Sequence, residues 1–397
     1  MSAMKALTAP VKRLTTAGEH WFFGYYDIPA FDSACENHLA LRVPFMDRMP
    51  TADDKAEIYR IRLKTGSADK IGETASWCFQ QGCFAQWLPA RPGWVIWNER
   101  AQTECGYAAV MTELASGKKR EYDRPVANVA PNGKYALSVN FDRMYDFRPG
   151  YGYAGHADRW ATDPHPADDG IYLIDLDSGE SRLILSLRQL WELTGGFFGG
   201  EDQKLMVNHI NFNTDSSRFV FLLRNFSTSG WKTAILTANA DGSGIFLLSA
   251  FAYASHYYWV DASILSIHSS GLELGRTGKQ LYELIDKTHA GKAVDPAFFI
   301  EDGHVSYSPD RKYILYDSYP KPDGYRELYL YDRLARRGGL LGRFQSWKPP
   351  IADMRCDLHP VWAPNGQMIS FDSTHEGFRG IYLMDVTEAM RELADRR

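Results

Sequence analysis

A short turn recurs along the whole chain of 397 residues, each time between two strand-like apolar segments. Its clearest copies carry Pro-Asn or Pro-Asp, residues that favour β-turns because proline fixes φ and Asn or Asp tolerates turn geometry. Counting the weaker copies, the turn occurs seven times: Phe31-Asp32, Trp87-Leu88-Pro89, Ala130-Pro131-Asn132-Gly133, Asn213-Thr214-Asp215, Val260-Asp261, Ser308-Pro309-Asp310 and Ala363-Pro364-Asn365-Gly366.

A second unit, a tyrosine-rich or apolar strand followed by a turn, accompanies each of these turns. Its copies lie at 58–63, 107–117, 171–175, 233–242, 281–291, 327–339 and 381–385. Two hairpins in each repeat of roughly 45–60 residues are typical of four-stranded propeller blades. The sequence therefore predicts an all-β fold, a seven-bladed β-propeller of four-stranded blades that forms a single domain over residues 1–397. A solenoid or a pair of sandwiches would not give two matched sets of seven.

Three segments interrupt the strand pattern. Residues 142–169 form a long aromatic and charged stretch, which predicts a functional loop because such long loops are uncommon in compact folds. A short helix is expected near 186–194, and the tail 386–397 predicts a C-terminal helix. The first strand of a blade runs toward its turn and the second returns. The 142–169 loop, which follows a second strand, should therefore cap the face where the first strands start.

Composition and charge exclude several classes of partner. The formal net charge of −5 argues against a nucleic-acid surface, which needs clustered Lys and Arg. No uninterrupted apolar run is long enough to span a bilayer, so we expect no membrane insertion. The N-terminal segment lacks the apolar stretch of a secretory signal, which predicts a cytoplasmic protein. The oligomeric state is left open.

Four histidines stand at equivalent positions of four successive repeats: His209, His256, His304 and His359. Each lies five or six residues before the Asp or Asn of its turn, so equal offsets place the four imidazoles at a similar height around one channel. Imidazole suits metal binding and proton transfer. Cys356 precedes His359 with C-x-x-H spacing, and thiolate is another donor that zinc prefers. We therefore predict a divalent metal at His304, Cys356 and His359, zinc in the first place, with manganese or calcium as alternatives.

Other polar residues are expected on the same face of the propeller. Arg224 ends an apolar strand that delivers it beside His209 and His256, where a guanidinium group would suit bidentate binding of a carboxylate. The segment Arg148–Tyr153 reads as a rigid aromatic loop that offers rings for stacking on a sugar. This face is therefore the predicted binding site.

Several motifs together resemble one enzyme family. They are Gly24-Tyr25-Tyr26-Asp27, Gln80-Gln81-Gly82, Arg148–Tyr153, Asn208-His209, Gly303–Asp310, Arg355–Pro360 and Asp372–Gly377. Over residues 18–390 the chain resembles the seven-bladed propeller polysaccharide lyases, namely the ulvan lyases and, more distantly, the oligogalacturonate lyases. The resemblance implies cleavage of a uronate glycosidic bond by β-elimination. An arginine or a metal neutralises the carboxylate, and a His or Tyr removes the C5 proton.

The resemblance also implies roles for individual residues. Arg224 matches the arginine that binds the substrate carboxylate, and His256 matches the histidine base of the oligogalacturonate enzymes. His209 lies near where the ulvan enzymes use a tyrosine base, so the catalytic set is His209, Arg224 and His256 with the base left open. The predicted metal residues match the family's metal cluster. The expected substrate-binding residues, which would contact a uronate-containing glycan, are Gln81, Arg148, Tyr151, Tyr153, Tyr258 and His268.

The chain departs from the ulvan enzymes, which are secreted and use histidines from an early blade. The corresponding stretch, Val139–Arg143, contains no histidine, and His156 and His165 of the following loop are the nearest candidates. Two other functions therefore stay open. One is a non-catalytic propeller that binds a glycan or a protein in surface-polysaccharide metabolism, and the other is a scaffold whose histidines only hold zinc.

Overall fold

The computed structural model describes residues 4–226, 232–249, 253–270 and 279–395. These residues form seven four-stranded antiparallel sheets, and the inner strands of several neighbouring sheets contact one another. The sheets stand as blades in a ring. The predicted seven-bladed β-propeller with four-stranded blades is thus confirmed.

The strands follow the chain blade by blade. The N-terminal strand and the first three blades comprise β1 (Val11–Arg13), β2 (His20–Phe22), β3 (Asn37–Val43), β4 (Ala56–Arg62), β5 (Ala68–Thr74), β6 (Gln86–Trp87), β7 (Trp94–Arg100), β8 (Tyr107–Glu113), β9 (Lys119–Tyr122), β10 (Asn128–Val129), β11 (Tyr135–Ser138), β12 (Gly170–Asp175) and β13 (Ser181–Ser186). The next three blades comprise β14 (Leu205–Phe212), β15 (Arg218–Asn225), β16 (Thr233–Asn239), β17 (Phe246–Ser249), β18 (Ala254–Trp259), β19 (Ile264–Ser269), β20 (Gln280–Ile285), β21 (Gly291–Ala293), β22 (Val305–Tyr307), β23 (Tyr313–Asp317), β24 (Tyr325–Asp332) and β25 (Arg337–Gln345). The last blade comprises β26 (Val361–Trp362), β27 (Met368–Ser373), β28 (Gly380–Asp385) and, as its outer strand, β1.

Both ends of the chain contribute to the last blade. β1 pairs antiparallel with β28, with Val11 opposite Met384 and Arg13 opposite Tyr382. Pairing of this kind closes the ring and protects an edge strand that would otherwise be open. The repeat pattern did not reveal this closure, because the three residues of β1 are all exposed and show no alternation of apolar and polar positions.

The described residues include three α-helices, α1 (Phe141–Phe147), α2 (Leu187–Leu193) and α3 (Thr387–Ala394), and a 3-10 helix at Ala352–Met354. α1 differs from the expected loop, since residues 142–147 are helical; the Asn140 side chain accepts a hydrogen bond from the Arg143 amide and caps the helix. α2 matches the helix expected near 186–194 and begins with a capping box of Ser186 and Gln189. The last two residues of the predicted tail helix lie outside the described residues.

In the described part of the chain, no helix has the length and apolar character needed to cross a bilayer.

A buried arginine ties the segment after α1 to the propeller. Arg143, which is 1% exposed, donates hydrogen bonds to the carbonyl oxygens of Leu205 at 2.5 Å, Asp163 at 2.8 Å and Pro164 at 2.6 Å. It also forms an ion pair with buried Asp158 at 3.1 Å. Because the guanidinium group presents its donors in a fixed fork, these contacts hold the segment against β14.

Candidate functional site

The four aligned histidines converge where the innermost strands start. The ring centroids of His256 and His304 are 4.0 Å apart, and those of His304 and His359 are 4.4 Å apart. His209 joins the group through Tyr25, whose ring centroid lies 5.2 Å from that of His209 and 4.7 Å from that of His359. We call these four histidines and Tyr25 the histidine cluster.

Irregular backbone turns these imidazoles toward one another. β14 changes register around His209, which has a φ of 49°. β18 changes register between Ala254 and Tyr257, so His256 falls outside the regular pairing, and His359 has a φ of 41° just before β26. A bulge re-aims the side chain of its extra residue, and positive φ at a non-glycine residue is strain that accumulates at functional sites.

Two tyrosines of the first blade, which the sequence did not assign to the site, lie among the imidazoles. Tyr25 is 1% exposed, and its hydroxyl has no hydrogen-bond partner within the described residues. The ring of Tyr26 lies 5.0 Å from that of His304, and its hydroxyl donates to the Tyr257 carbonyl oxygen at 2.6 Å. Burial raises the pKa of both phenols, so both hydroxyls are protonated at neutral pH.

Two aspartates, buried Asp317 and partly exposed Asp302, orient two of the imidazoles. Both carboxylate oxygens of Asp317 lie 3.0 Å from Nδ1 of His304, and burial raises the pKa of Asp317 to about 7. Asp302 lies 3.1 Å from Nδ1 of His256. His268, expected among the substrate-binding residues, stands behind this pair, with its Nδ1 4.0 Å from the same Asp302 oxygen. A carboxylate at Nδ1 fixes the ring orientation and leaves Nε2 for another partner.

One group of side chains has the arrangement of a metal site. The ligand atoms of His304, Asp357 and His359 all lie within 4.8 Å of one another, and all three residues are buried. Among the residues that the structure describes, Nε2 of neither histidine has a hydrogen-bond partner. The Asp357 carboxylate also forms ion pairs with Arg326 at 2.6 Å and Arg355 at 2.7 Å. Two unpartnered imidazole nitrogens beside a carboxylate fit a divalent cation.

Cys356, expected as a metal ligand, is not part of this group. Alternate residues of an extended segment point to opposite sides, so Asp357 and His359 face the histidine cluster whereas Leu358 packs into the core of the last two blades. The Cys356 thiol instead lies 3.8 Å from the Asp357 carbonyl oxygen. Burial raises the pKa of this thiol to about 12. The same alternation, read along 355–360, would have indicated Asp357.

Arginines flank the cluster on the side of His209. Arg224, near the end of β15, is 5% exposed, and its Nε donates to the Thr233 hydroxyl at 3.2 Å. Arg148 lies over the Tyr151 ring, with its guanidinium carbon 4.4 Å from the ring centroid, and pairs with Asp353 at 2.9 Å. The site therefore combines imidazoles with guanidinium groups, as an anionic ligand requires.

His209 is the member of the cluster on which these cations act most directly. Its pKa is lowered well below the usual range, first by burial and then by the Arg224 cation, with His256 and Arg148 adding to the effect. The imidazole is therefore neutral at pH 7. It remains partly exposed, and the ring centroid of Tyr151 lies 5.6 Å from its own. A neutral imidazole carries a lone pair that can accept a proton, and the neighbouring cations favour the binding of an anion.

The segment after α1 is held beside the cluster through the second blade. The Gln80 side chain donates a hydrogen bond to the Asp353 carbonyl oxygen at 3.0 Å. The Gln80 backbone amide donates another to the Gly150 carbonyl oxygen at 3.2 Å. Gln81, expected to bind substrate, is buried, and its side-chain oxygen has no hydrogen-bond partner in the described part of the chain. Gly24 passes so near that a Cβ atom would lie 3.2 Å from the Gln81 carbonyl oxygen, and its φ of 149° favours glycine.

Two residues of the expected substrate-binding set lie elsewhere. Tyr153 is fully buried and stacks on Phe141 with centroids 4.7 Å apart, because the aromatic segment folds back on α1 and joins the core. Tyr258 follows His256 by two residues along β18 and stacks on Tyr307 at 5.9 Å. Tyr258 therefore lies nearer the turn end of the inner strand than the histidines do.

A comparison with protein-family models and with curated proteins finds no match. Among solved structures, an oligogalacturonate lyase from Vibrio parahaemolyticus matches with a TM-score of 0.68 and 14% identity, over 97% of this chain and 98% of that one. An oligogalacturonate lyase in complex with manganese matches with a TM-score of 0.69 and 16% identity, over 98% and 100%. The β-propeller domain of the Trilobed protease from Pyrococcus furiosus matches with a TM-score of 0.52 and 10% identity, over 92% and 96%.

These matches show a shared fold. Because proteins with different activities have this fold, a function has to be argued from the side chains of the site. The resemblance to ulvan lyases stays a prediction. Over nearly its whole length, the chain is similar in fold to oligogalacturonate lyases and, at a lower TM-score, to the propeller of a protease.

Proposed function

We propose that this protein is a lyase that cleaves a uronate-containing oligosaccharide or polysaccharide by β-elimination. The observation that carries the proposal is the juxtaposition of Arg224, a neutral His209 and the unpartnered hydroxyl of Tyr25. β-Elimination needs three functions: a cation at the carboxylate, a base for the C5 proton and an acid for the leaving oxygen. Two structures with the same fold are oligogalacturonate lyases, which supports this class of substrate.

Arg224 is the group proposed to bind the carboxylate. Its charge interacts with Tyr25 and Tyr151, the two tyrosines whose rings contact His209, and this supports the assignment. Arg148, another guanidinium group of this region, lowers the pKa of Arg224 further after the effect of burial. When the C5 proton leaves, negative charge spreads onto the carboxylate, and a bidentate guanidinium contact becomes stronger as that charge develops.

His209 is proposed as the base that takes the C5 proton. It is neutral and partly exposed, whereas His256 is buried and its Nδ1 faces Asp302 at 3.1 Å. The electron pair of the C5–H bond forms the C4–C5 double bond, and the C4–O bond breaks. Tyr25 is proposed to donate its hydroxyl proton to the departing oxygen, because this protonated hydroxyl has no other partner and its ring stacks on His209.

A divalent metal is proposed at His304, Asp357 and His359. The unpartnered Nε2 atoms of the two histidines and the carboxylate between them supply the donors, and one oligogalacturonate lyase of this fold was solved with manganese. Nitrogen and oxygen donors suit manganese as well as zinc, the ion first expected. Such an ion, when bound, supplies positive charge beside an acidic substrate.

Replacing His359 with alanine is expected to abolish metal binding and to remove the stabilisation that the metal provides. A ligand at a hundred times its Kd stabilises the native state by about 2.7 kcal/mol, and this contribution should disappear. Elemental analysis after dialysis against zinc or manganese, and thermal unfolding with and without chelator, measure both effects. His289→Ala is the matched control, because His289 is exposed. Equal metal content in the His359 variant and the wild type would contradict the assignment.

The proposed activity is tested by ultraviolet absorbance, since β-elimination creates an unsaturated uronate that absorbs. Purified protein is mixed with rhamnose–glucuronate, galacturonate and glucuronan oligosaccharides, each with and without chelator. A rising absorbance with one substrate supports the lyase. A flat trace with all of them contradicts it and favours a propeller that binds a glycan without cleaving it.

A further inference from the structure

A second cavity lies along the inner strands, on the turn side of the histidine cluster. It has a volume of about 170 Å³ and is lined by the strand segments that follow the histidines, among them Asn211 after His209 and Trp259 after His256. Strands rise by about 3.3 Å per residue, so these positions lie roughly 7–10 Å beyond the histidines. Tyr26 stands between the two spaces, because its ring contacts His256 while its hydroxyl bonds to the backbone of a residue that lines the cavity, Tyr257.

The walls of this cavity combine aromatic rings with proline rings and side-chain amides. The indole N–H of Trp87 donates to the Ala30 carbonyl oxygen at 3.0 Å, and that of Trp259 donates to the Asn211 carbonyl oxygen at 3.2 Å. Their polar atoms are therefore engaged, and the rings present apolar surface to the cavity. Tyr258 lines the same space.

Asp27 is the acidic group of this cavity. Its carboxyl group is partly exposed and interacts with the Asn211 side chain, and within the described residues no lysine or arginine forms an ion pair with it. Burial raises the pKa of Asp27 to about 7. Burial makes the ionised form of this carboxyl group costly, so a cation that enters the cavity would stabilise it.

We propose that this cavity binds a small methylated ammonium cation, with Asp27 as its counter-ion and Trp87, Tyr258 and Trp259 as its aromatic wall. Ring faces attract cations through their quadrupole, and methylated ammonium groups, which are weakly hydrated, are the cations that aromatic cages recognise. The volume also fits, because a cavity of about 150 Å³ is enough for a benzene molecule. The proposal does not depend on the lyase activity, since the cavity shares no side chain with the proposed catalytic set.

Calorimetric titration with choline and with 3,3-dimethylbutan-1-ol, its uncharged isostere, tests the proposal. The wild type is expected to bind choline saturably and the isostere roughly tenfold more weakly, since the isostere keeps the shape without the charge. Asp27→Asn should weaken choline binding by roughly tenfold or more, and Tyr258→Leu should weaken it with the carboxylate intact.

Asp215→Asn is the matched control, because Asp215 is an exposed aspartate in the turn beside the cavity-lining Thr214. Its replacement makes the same change from carboxyl to amide outside the cavity and should leave choline affinity unchanged. Thermal unfolding of each variant confirms that it is folded. The proposal is overturned if the wild type shows no saturable choline binding, if the isostere binds equally well, or if folded Asp27→Asn binds choline as the wild type does.

Discussion

Replacing Arg224 with lysine is expected to lower kcat on the uronate substrate by about 10²–10³-fold, with a smaller change in KM. Lysine keeps the positive charge but offers no planar pair of donors, so it cannot hold both carboxylate oxygens in one plane. The lost contact is strongest after the C5 proton has left, when negative charge has spread onto the carboxylate. Transition-state binding therefore suffers more than ground-state binding. Steady-state kinetics by ultraviolet absorbance measure the effect.

Arg218→Lys is the matched control for this substitution. Arg218 lies at the other end of the same strand, is 4% exposed, and pairs with Asp286 at 2.5 Å and with Thr237 at 2.9 Å. Breaking that buried network should lower the unfolding temperature and leave kcat unchanged, since Arg218 is remote from the histidine cluster. Full kcat in the Arg224 variant would show that another group binds the carboxylate. Equal losses of kcat in both variants would point to a general effect on folding.

The blades could be predicted from the sequence because each one is a local structure. Its turns, such as Ala130–Gly133, are specified by adjacent residues, and antiparallel neighbours are consecutive in the chain. Closure of the ring could not be predicted in the same way. It depends on pairing Val11–Arg13 with β28 at the far end of the chain, and those three exposed residues carry no strand pattern of their own.

The candidate site, like the fold, could be predicted only where it depends on local sequence. Equal offsets within the repeats identified the histidines, because the offset from the turn fixes where a residue stands on its inner strand. Tyr25 and Asp317 were missed, since their contacts with the histidines depend on which side chain meets the cluster from another strand. Asp357 was overlooked because Cys356 and His359 have a spacing that is common in zinc sites. Alternation of side chains along the segment nevertheless indicates that Asp357 lies on the same side as His359. Tyr153, expected to contact substrate, is packed in the core, because an aromatic residue in a loop suits a core as well as a sugar.

Replacing His209 with glutamine is expected to lower kcat by about 10²–10⁴-fold, the usual contribution of a general base. Glutamine keeps a side chain of similar length and hydrogen-bonding capacity but cannot accept the C5 proton at neutral pH. His256→Gln is the discriminating comparison, because His256 is the other histidine that fits the role. If His209 is the base, the His256 variant should retain most of its kcat. The opposite pattern would transfer the role to His256.

The pH dependence of the wild type adds a second test of the same assignment. A base loses activity as pH falls through its pKa, and the pKa of His209 in the free protein is lowered well below its ordinary value of 6.5. As pH falls, the profile of kcat/KM should therefore stay flat through pH 6.5 and decline only at lower pH. Once substrate is bound, its carboxylate offsets the Arg224 charge that contributes to the lowering, so the pKa of His209 rises in the complex. The acidic limb of kcat should then lie at higher pH than that of kcat/KM, whereas a base remote from Arg224 would give limbs that coincide.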